Sequence, residues 1–472
     1  MPGDYTDRSM QKQGAKHPPP RVRAGIAGGC GRSEGAKGDS AGRGCRRDVH
    51  VPRSPRCLAG RGRPAHRGGT VSGAIWFPGV ALAFTLRAVQ AEERSDPPTF
   101  PARTPPPTRA CIPQRLGLKC LLQKRDTFPQ EHAMFKCAFL GCGPRARGHA
   151  RAYKAVQRGQ IAAICDLDEK RLNDFGAEFG IATRYRDAHE MLEREKPDLL
   201  HIVTVPGLRV PTMTIAVEHK VPVAIVEKPI ALQGEDWRAL KALGEAGPTR
   251  FAVNTQLHFH ARNLELKRDV AEGRIGEVRF IDVSARSTPL DQGVHVLELA
   301  HSYNGFAPFT SVFGQVGGVE DLASRQPAPS MAAASFRFAN AVSAMMVCGL
   351  CAPLATAQES RYHHKRISVY GTRGFLQWTM WTWERQTRDG GYERGEHHYG
   401  VEDDLAQARL TEACFDWLED PAKPHPCCLE RSLEQFNAIL GLYTSALRSR
   451  PIELPCDPPD GLLEALKTRL TL

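Results

Sequence analysis

The chain has 472 residues, 41% hydrophobic and 24% charged, which is room for two or three domains. Its net charge of +11 belongs to one end: residues 1–133 hold 23 Lys+Arg against 10 Asp+Glu, whereas residues 134–472 hold 40 against 42. That balance excludes a basic nucleic-acid-binding body, and 14 cysteines, 5 before residue 134 and 9 at irregular spacing after it, exclude a disulfide framework and point to a reducing compartment, the cytoplasm.

Residues 1–133 also carry 16 of the 35 prolines, with runs such as Pro18-Pro19-Pro20 and Pro105-Pro106-Pro107, and almost no periodicity. The expectation is a disordered or non-native extension without a packed core, with Met134 as the start of the folded protein. Such an Arg/Gly/Pro tail lacks interleaved aromatics and any recognisable module, so no nucleic-acid partner is expected. Val71 to Leu86 is apolar, follows Arg61, Arg63 and Arg67, and precedes Ala88-Val89-Gln90-Ala91, in the manner of a signal peptide displaced from the N-terminus. Pro78-Gly79 interrupts it and it falls short of the roughly 20 residues of a membrane span, so no membrane association is expected.

From residue 135 apolar runs alternate with helical periods. Strands are predicted at Lys136–Leu140, Ile161–Cys165, Leu199–Val203, Val221–Val226 and Arg250–Asn254, with helices around Ala146–Gln157, Glu169–Phe179, Val210–His219 and Glu235–Ala246. This alternation is the mark of a doubly wound parallel sheet. Beyond it come β-rich segments at Glu277–Ala285, Met331–Phe338, Ala341–Gly349, Ile367–Tyr370 and Phe375–Trp378, and helices at Leu264–Glu272, Asp291–His301, Asp403–Leu418 and Leu429–Leu447. The predicted fold class is α/β: an extension over 1–133, a Rossmann domain over 134–255, and an α+β domain with a largely antiparallel open sheet over 256–472.

Three motifs carry chemistry. In Gly141-Cys142-Gly143-Pro144-Arg145-Ala146, Gly141 permits a tight turn, Gly143 lets backbone approach a pyrophosphate, and the small Ala146 allows close helix–strand packing. Asp166 ends the next strand, where a carboxylate accepts ribose hydroxyls and repels a 2′-phosphate. NAD is therefore expected rather than NADP, although Lys170 and Arg171 follow on the helix within reach of a phosphate. Glu227-Lys228-Pro229 closes a buried strand, and Asp291 and His295 stand four residues apart, on one face of a helix. A histidine near neutrality suits removal of a hydroxyl proton, and a lysine suits stabilisation of the resulting oxygen charge.

These motifs together resemble the Gfo/Idh/MocA oxidoreductases, over residues 134 to about 456. The likeness includes the fingerprint ending in His149, Thr204-Val205-Pro206, Glu227-Lys228-Pro229, Arg274-Ile275-Gly276-Glu277-Val278, the Asp291/His295 pair, Tyr370-Gly371-Thr372-Arg373-Gly374 and Pro451-Ile452-Glu453-Leu454-Pro455. The resemblance implies Lys228, Asp291 and His295 as catalytic residues and Gly141, Gly143, Ala146, Asp166, Thr204, Pro206, Glu227 and Lys228 around the cofactor. It further implies NAD-dependent hydride transfer at a hydroxyl carbon of a sugar, cyclitol or sugar derivative, in a homodimer or homotetramer. An NAD-dependent glycosidase working by transient oxidation and a non-catalytic dinucleotide-binding regulator are the alternatives, and the three proton-transfer groups together weigh against the regulator.

The segment Asn254-Thr255-Gln256-Leu257-His258-Phe259-His260 departs from the family's usual arginine, which makes Gln256, His258 and His260 substrate-pocket candidates. The His-x-His pair has no paired carboxylate nearby, so no metal is expected. Glu298, three residues after His295, matches a position often acidic in the family. Cys348-Gly349-Leu350-Cys351 is a lone CxxC in a strand-like run and reads as core, and His363-His364-Lys365-Arg366 reads as an exposed basic loop.

Overall fold

The computed structural model describes residues 71–77, 80–86 and 134–472. The chain divides into two compact units, Met1–Lys119 and Cys120–Leu472. In the first unit the described residues are one antiparallel hairpin, β1 (Val71–Phe77) and β2 (Val80–Leu86), with Val71 opposite Leu86 and Phe77 opposite Val80. The leader-like stretch is therefore two strands, and the other expectations for residues 1–133 lie outside the described residues.

The second unit opens with the expected alternation. Its order is β3 (Phe135–Leu140), α1 (Pro144–Ala152), β4 (Gly159–Cys165), α2 (Glu169–Phe179), β5 (Arg184–Tyr185), α3 (Ala188–Glu195), β6 (Leu199–Ile202), α4 (Arg209–Glu218), β7 (Val223–Glu227), α5 (Gly234–Ala246) and β8 (Arg250–Asn254). The six strands form an all-parallel sheet in the order β5-β4-β3-β6-β7-β8. Every residue of β6 and β7 is buried, as a sheet covered by helices on both faces requires. Helix boundaries have local causes: the Asp168 side chain accepts from the Arg171 amide at the start of α2, and Gly180, at φ 69°, ends it. β5 and α3 escaped the sequence reading because one is two residues long and the other has only Met191 and Leu192 buried.

The remainder runs α6 (Ala261–Ala271), β9 (Val278–Ala285), α7 (Val294–Tyr303), β10 (Phe309–Gly317), β11 (Met331–Phe338), β12 (Ser343–Cys348), β13 (Lys365–Gly371), β14 (Gly374–Thr379), β15 (Thr382–Thr387), β16 (Gly391–Glu396), α8 (Tyr399–Glu419), α9 (Leu429–Arg448), β17 (Ile452–Glu453) and α10 (Leu462–Thr471). Its nine strands make one mixed sheet in the order β16-β15-β14-β13-β9-β12-β11-β10-β17, antiparallel throughout except for the β12–β9 pair. β10, β15, β16, β17 and α10 were not foreseen. In β11 exposure alternates strictly along the strand, so one face of the sheet packs inward and the other is open.

Helix α8 joins the two sheets. Phe415 stacks on Phe135 with ring centroids 4.7 Å apart, and Arg158 pairs with Glu412 and Asp416, both at 2.7 Å. The CxxC cysteines are free: Cys348 is buried at the end of β12, and Cys351 is exposed.

Candidate active site

The loop after β3 is shaped for a dinucleotide. Gly141 has φ 102°, which side-chain-bearing residues rarely adopt, and a Cβ there would strike the Val203 carbonyl. Nothing lies within 4 Å of a Cβ built on Gly143, so this position opens into the cleft, while Ala146 is wholly buried against the sheet. Helix α1 starts here with no side-chain cap and no acid in its first turn, leaving its amides free to face phosphate. The cleft holds about 610 Å³ and is lined by Gly141, Gly143, Asp166, Thr204 and Val205, among others.

Asp166 is tied in place rather than free. Its Oδ2 accepts from the Cys142 amide at 2.8 Å, and its Oδ1 accepts from the Asp168 amide at 2.8 Å and from Arg171 at 2.9 Å. Burial pushes the carboxyl up, but the Arg171 and backbone hydrogen bonds outweigh it and hold the group below the usual carboxylate range. Arg171 is thus bound to Asp166, whereas Lys170 pairs with Asp174 on its own helix. On the other wall Pro206 starts a short 3-10 turn, and the buried Arg209 donates to the Thr204 carbonyl at 2.8 Å and to Thr204 Oγ1 at 3.1 Å. Its Nε also reaches the Pro229 carbonyl at 3.4 Å, fastening the Thr204 loop to the turn that carries Lys228.

Glu227 turns into the protein. Its Oε1 accepts from Arg145 Nε at 2.8 Å and from Asn254 Nδ2 at 2.6 Å, and lies 2.7 Å from His149 Nε2. The chain continues from His149 to His201 at 3.1 Å and on to the Tyr153 hydroxyl at 2.8 Å. Burial raises the Glu227 carboxyl, yet the Arg145 charge and the His149 and Asn254 contacts hold it well below the usual range. Glu227 therefore serves the cofactor cleft through Arg145, which lines that cleft.

One residue further on, Lys228 Nζ donates to the Asp291 carbonyl at 2.6 Å and to Asp291 Oδ1 at 3.0 Å. Asp291 Oδ2 also accepts from Ser287 Oγ at 2.7 Å. The predicted single helix from Asp291 is instead a π turn, Pro289–Gly293, followed by α7 from Val294. The Thr288 side chain caps the turn by accepting from the Asp291 amide. His295, in the first turn of α7, is buried and its Nδ1 has no hydrogen-bond partner. Burial, and then the charges of Lys228, Lys365 and Arg145, push its pKa well below the ordinary histidine value, so the ring is neutral through the physiological range.

The three pocket candidates after β8 separate. Gln256 Nε2 donates to Asp403 Oδ1 at 3.0 Å, and His260 Nε2 lies 3.9 Å from the same oxygen while its ring stacks on Tyr399 at 5.4 Å. His258 points elsewhere: its Nδ1 is 2.7 Å from Glu298 Oε1 in the core. Glu298 supplies the carboxylate that the sequence reading found missing, and His258, Glu298 and Cys427 bring their polar atoms within 4.8 Å of one another. Lys267 lies near this group, donating to the His258 carbonyl at 2.9 Å, with its pKa pushed down to about 8 by burial.

The sequence reading missed Arg145, Arg209, Gln292 and Asp403, and it misjudged Lys365. The segment from His363 to Arg366 is not an exposed loop. His364 and Lys365 are buried, and Arg366 pairs with Asp282 at 2.5 Å. A signal was present: Lys365, Ile367 and Val369 alternate on one face of β13, and that face is the buried one.

Residues 135–255 match the model of the Gfo/Idh/MocA oxidoreductase family, described as an NAD-binding Rossmann fold. The D-apiose dehydrogenase of Paraburkholderia graminis is 31% identical over 211 residues, 40% of this chain and 56% of the relative. That of Rhizobium rhizogenes is 34% identical over 152 residues, 32% of this chain and 44% of the relative. The chain thus spans about half the length of the curated relatives it matches. An oxidoreductase from Agrobacterium radiobacter, solved with NAD+, L-tartaric acid and magnesium, superposes with a TM-score of 0.60 at 22% identity, covering 68% of this chain and 98% of that one, so the shared fold extends beyond the Rossmann half. Over residues 135–255, then, this chain is similar to the NAD-binding Rossmann fold of the Gfo/Idh/MocA oxidoreductases.

Proposed function

We propose that the protein is an NAD-dependent dehydrogenase that moves a hydride between nicotinamide and a hydroxyl-bearing carbon of a sugar, cyclitol or sugar derivative. The observation that carries this reading is the convergence of Lys228, Asp291 and neutral His295 at the turn after β7, next to a glycine-shaped cleft. Bound NAD would supply the hydride acceptor, held by the α1 amides and Asp166. The chain's own groups handle the proton. Lys228 has spent two of its three N–H donors on Asp291 and offers the third to the substrate oxygen. His295 takes the hydroxyl proton as the oxygen becomes a carbonyl, and Asp291 fixes the lysine in position.

The carbohydrate class rests on the family and on relatives that are D-apiose dehydrogenases. A panel of polyols and aldoses with NAD, followed by absorbance of the reduced cofactor, tests it. Failure of every member to reduce NAD would overturn the reading. One relative supports a second reading: the alpha-N-acetylgalactosaminidase of Tannerella forsythia is 26% identical over 166 residues, 33% of this chain and 35% of that protein. Release of sugar from an aryl glycoside, dependent on NAD but without net reduction, would favour it.

A homodimer or homotetramer fits the open face of the mixed sheet, where Phe313, Met331, Met345 and Tyr370 are exposed on the same side. Light scattering of the purified protein would measure it. Among the described residues no helix is long and apolar enough to cross a membrane. Cytoplasmic residence is proposed from the nine free cysteines.

A further inference from the structure

Around the reaction cleft each carboxylate is already engaged. Asp291 holds Lys228, Glu227 holds Arg145, and Asp403 accepts from Gln256 and from the Tyr399 hydroxyl, both at 3.0 Å. Among the described residues two buried cations there have no carboxylate partner: Arg209, which donates to the Thr204 loop and the Pro229 carbonyl, and Lys365. Lys365, the first residue of β13, extends from the buried face of the mixed sheet to the π turn. Its Nζ donates to Gln292 Oε1 at 2.7 Å and to the Tyr362 carbonyl at 2.5 Å, both neutral oxygens. No carboxylate of the described residues is in ion-pair reach of it, and its third N–H has no acceptor there. Lys228 and Lys365 thus grip neighbouring residues of one turn, Asp291 and Gln292. The lysine that faces the reacting hydroxyl has a second, uncompensated lysine beside it.

A buried ammonium without a countercharge costs free energy, and a ligand that brings the countercharge removes that cost. We propose that Lys365 is the anchor for a negatively charged group of the substrate, so that the preferred substrates are sugar acids with a carboxylate near the oxidised hydroxyl rather than neutral sugars. This rests on the dehydrogenase reading for the word substrate, but the binding claim stands on the cluster itself. Burial above all, then the Lys228 and Arg145 charges, push the pKa of Lys365 down to about 7, against the opposing pull of Asp403 and Asp291. His295, His363 and His364 also feel its charge. An anion bound here would therefore draw a proton onto Lys365 from solution, because it favours the ammonium form.

The test uses full-length protein saturated with NAD and two matched pairs of probes, D-gluconate against D-sorbitol and D-glucuronate against D-glucose, with affinity read from thermal-melting shifts. Loss of one charged hydrogen bond costs about 1.5–3 kcal/mol, so the acids should bind roughly ten- to hundredfold more tightly than their neutral partners. Lys365→Met should abolish that preference and Lys365→Arg should keep much of it, with Lys365→Gln as the charge-free variant if methionine packs badly. Acids that shift melting no more than the neutral probes, including no shift from either, overturn the proposal, as does a preference that survives removal of the charge. Turnover is followed separately by absorbance of reduced cofactor. Acid binding with no reduction of NAD by any sugar or polyol of the panel would sink the dehydrogenase reading and leave the anchor standing, whereas reduction of NAD with no tighter binding of the acids would do the reverse.

Discussion

In the parallel sheet the candidate site is made of loops at the carboxyl ends of β3, β4, β6 and β7, and backbone shape does most of the placing. Gly141 turns at positive φ, Gly143 leaves space, and Asp166 is held by amides within its own loops. In the mixed sheet the corresponding parts are side chains carried in from separate elements. Lys365 comes from the start of β13, His295 from α7 and Asp403 from α8, so their meeting depends on how distant elements pack. A site made of backbone tolerates many side chains but few changes of backbone conformation. One made of side chains is the opposite, and substitutions can tell the two apart.

The largest effects should come where the halves meet. Lys228→Ala and His295→Ala are expected to lower kcat by about 10²–10⁴-fold while NAD affinity, read by fluorescence titration, stays within a few-fold. A His295→Ala enzyme turning over an identified substrate at the normal rate would remove the proton role and turn attention to His260. On the backbone side, Gly141→Val combines positive φ with a clash against the Val203 carbonyl, so NAD affinity should fall by more than about tenfold, from at least 1–2 kcal/mol of backbone cost. Retention of NAD binding by this variant would break the comparison outright.

Glu227→Gln probes the join in a different way, through stability. Glu227 is held below its unfolded value, so its contribution is fully present above about pH 4.3 and is lost as pH falls through the folded value. Because Arg145 is two-fifths exposed, its ion pair is discounted for solvent, and the variant should lose about 1–2 kcal/mol near neutrality, with the gap to wild type closing in acid melts. A gap that widened below pH 4 would contradict the assignment. The smallest shift is expected from Asp166→Ser, which frees Arg171 to meet a 2′-phosphate and should narrow or invert the NAD preference. Equal dissociation constants for NAD and NADP in the unaltered protein would show that Arg171 already cancels the carboxylate.

The comparison also explains what could be read before the fold was known. The glycine fingerprint, Asp166, Lys228 and the strand–helix alternation were legible because their causes are local: a turn needs its glycine, and a strand covered on both faces needs its apolar run. Asp291 and His295 were proposed from the family resemblance, with a four-residue spacing that put them on one helix face, and the turn between them is wider than an α-helix. Lys365 was misread because two basic residues beside a histidine pair suggest solvent and outweighed the alternation of Lys365, Ile367 and Val369, which pairing of β13 with β9 turns inward. The role of Glu298 as partner of His258 was invisible for the same reason, since forty residues of chain separate the two. Arg209 looked like an ordinary helix charge, yet it bolts one active-site loop to another.

The position of β9 in the middle of the mixed sheet bears on how the protein is made. β9 pairs on one side with β12 and on the other with β13, so a chain leaving the ribosome carries β9 with both edges unsatisfied until Cys348 has emerged and with one still open until Gly371 has. The far edge waits longer still, because β17 closes on Ser311 and Val312 only near the end of translation. The parallel strands, by contrast, are all synthesised by Asn254. Vectorial synthesis lets the first sheet form before the second can compete with it, an order that dilution from denaturant does not impose. Refolding yield should therefore fall with protein concentration, as unpaired β9 edges find each other in different molecules.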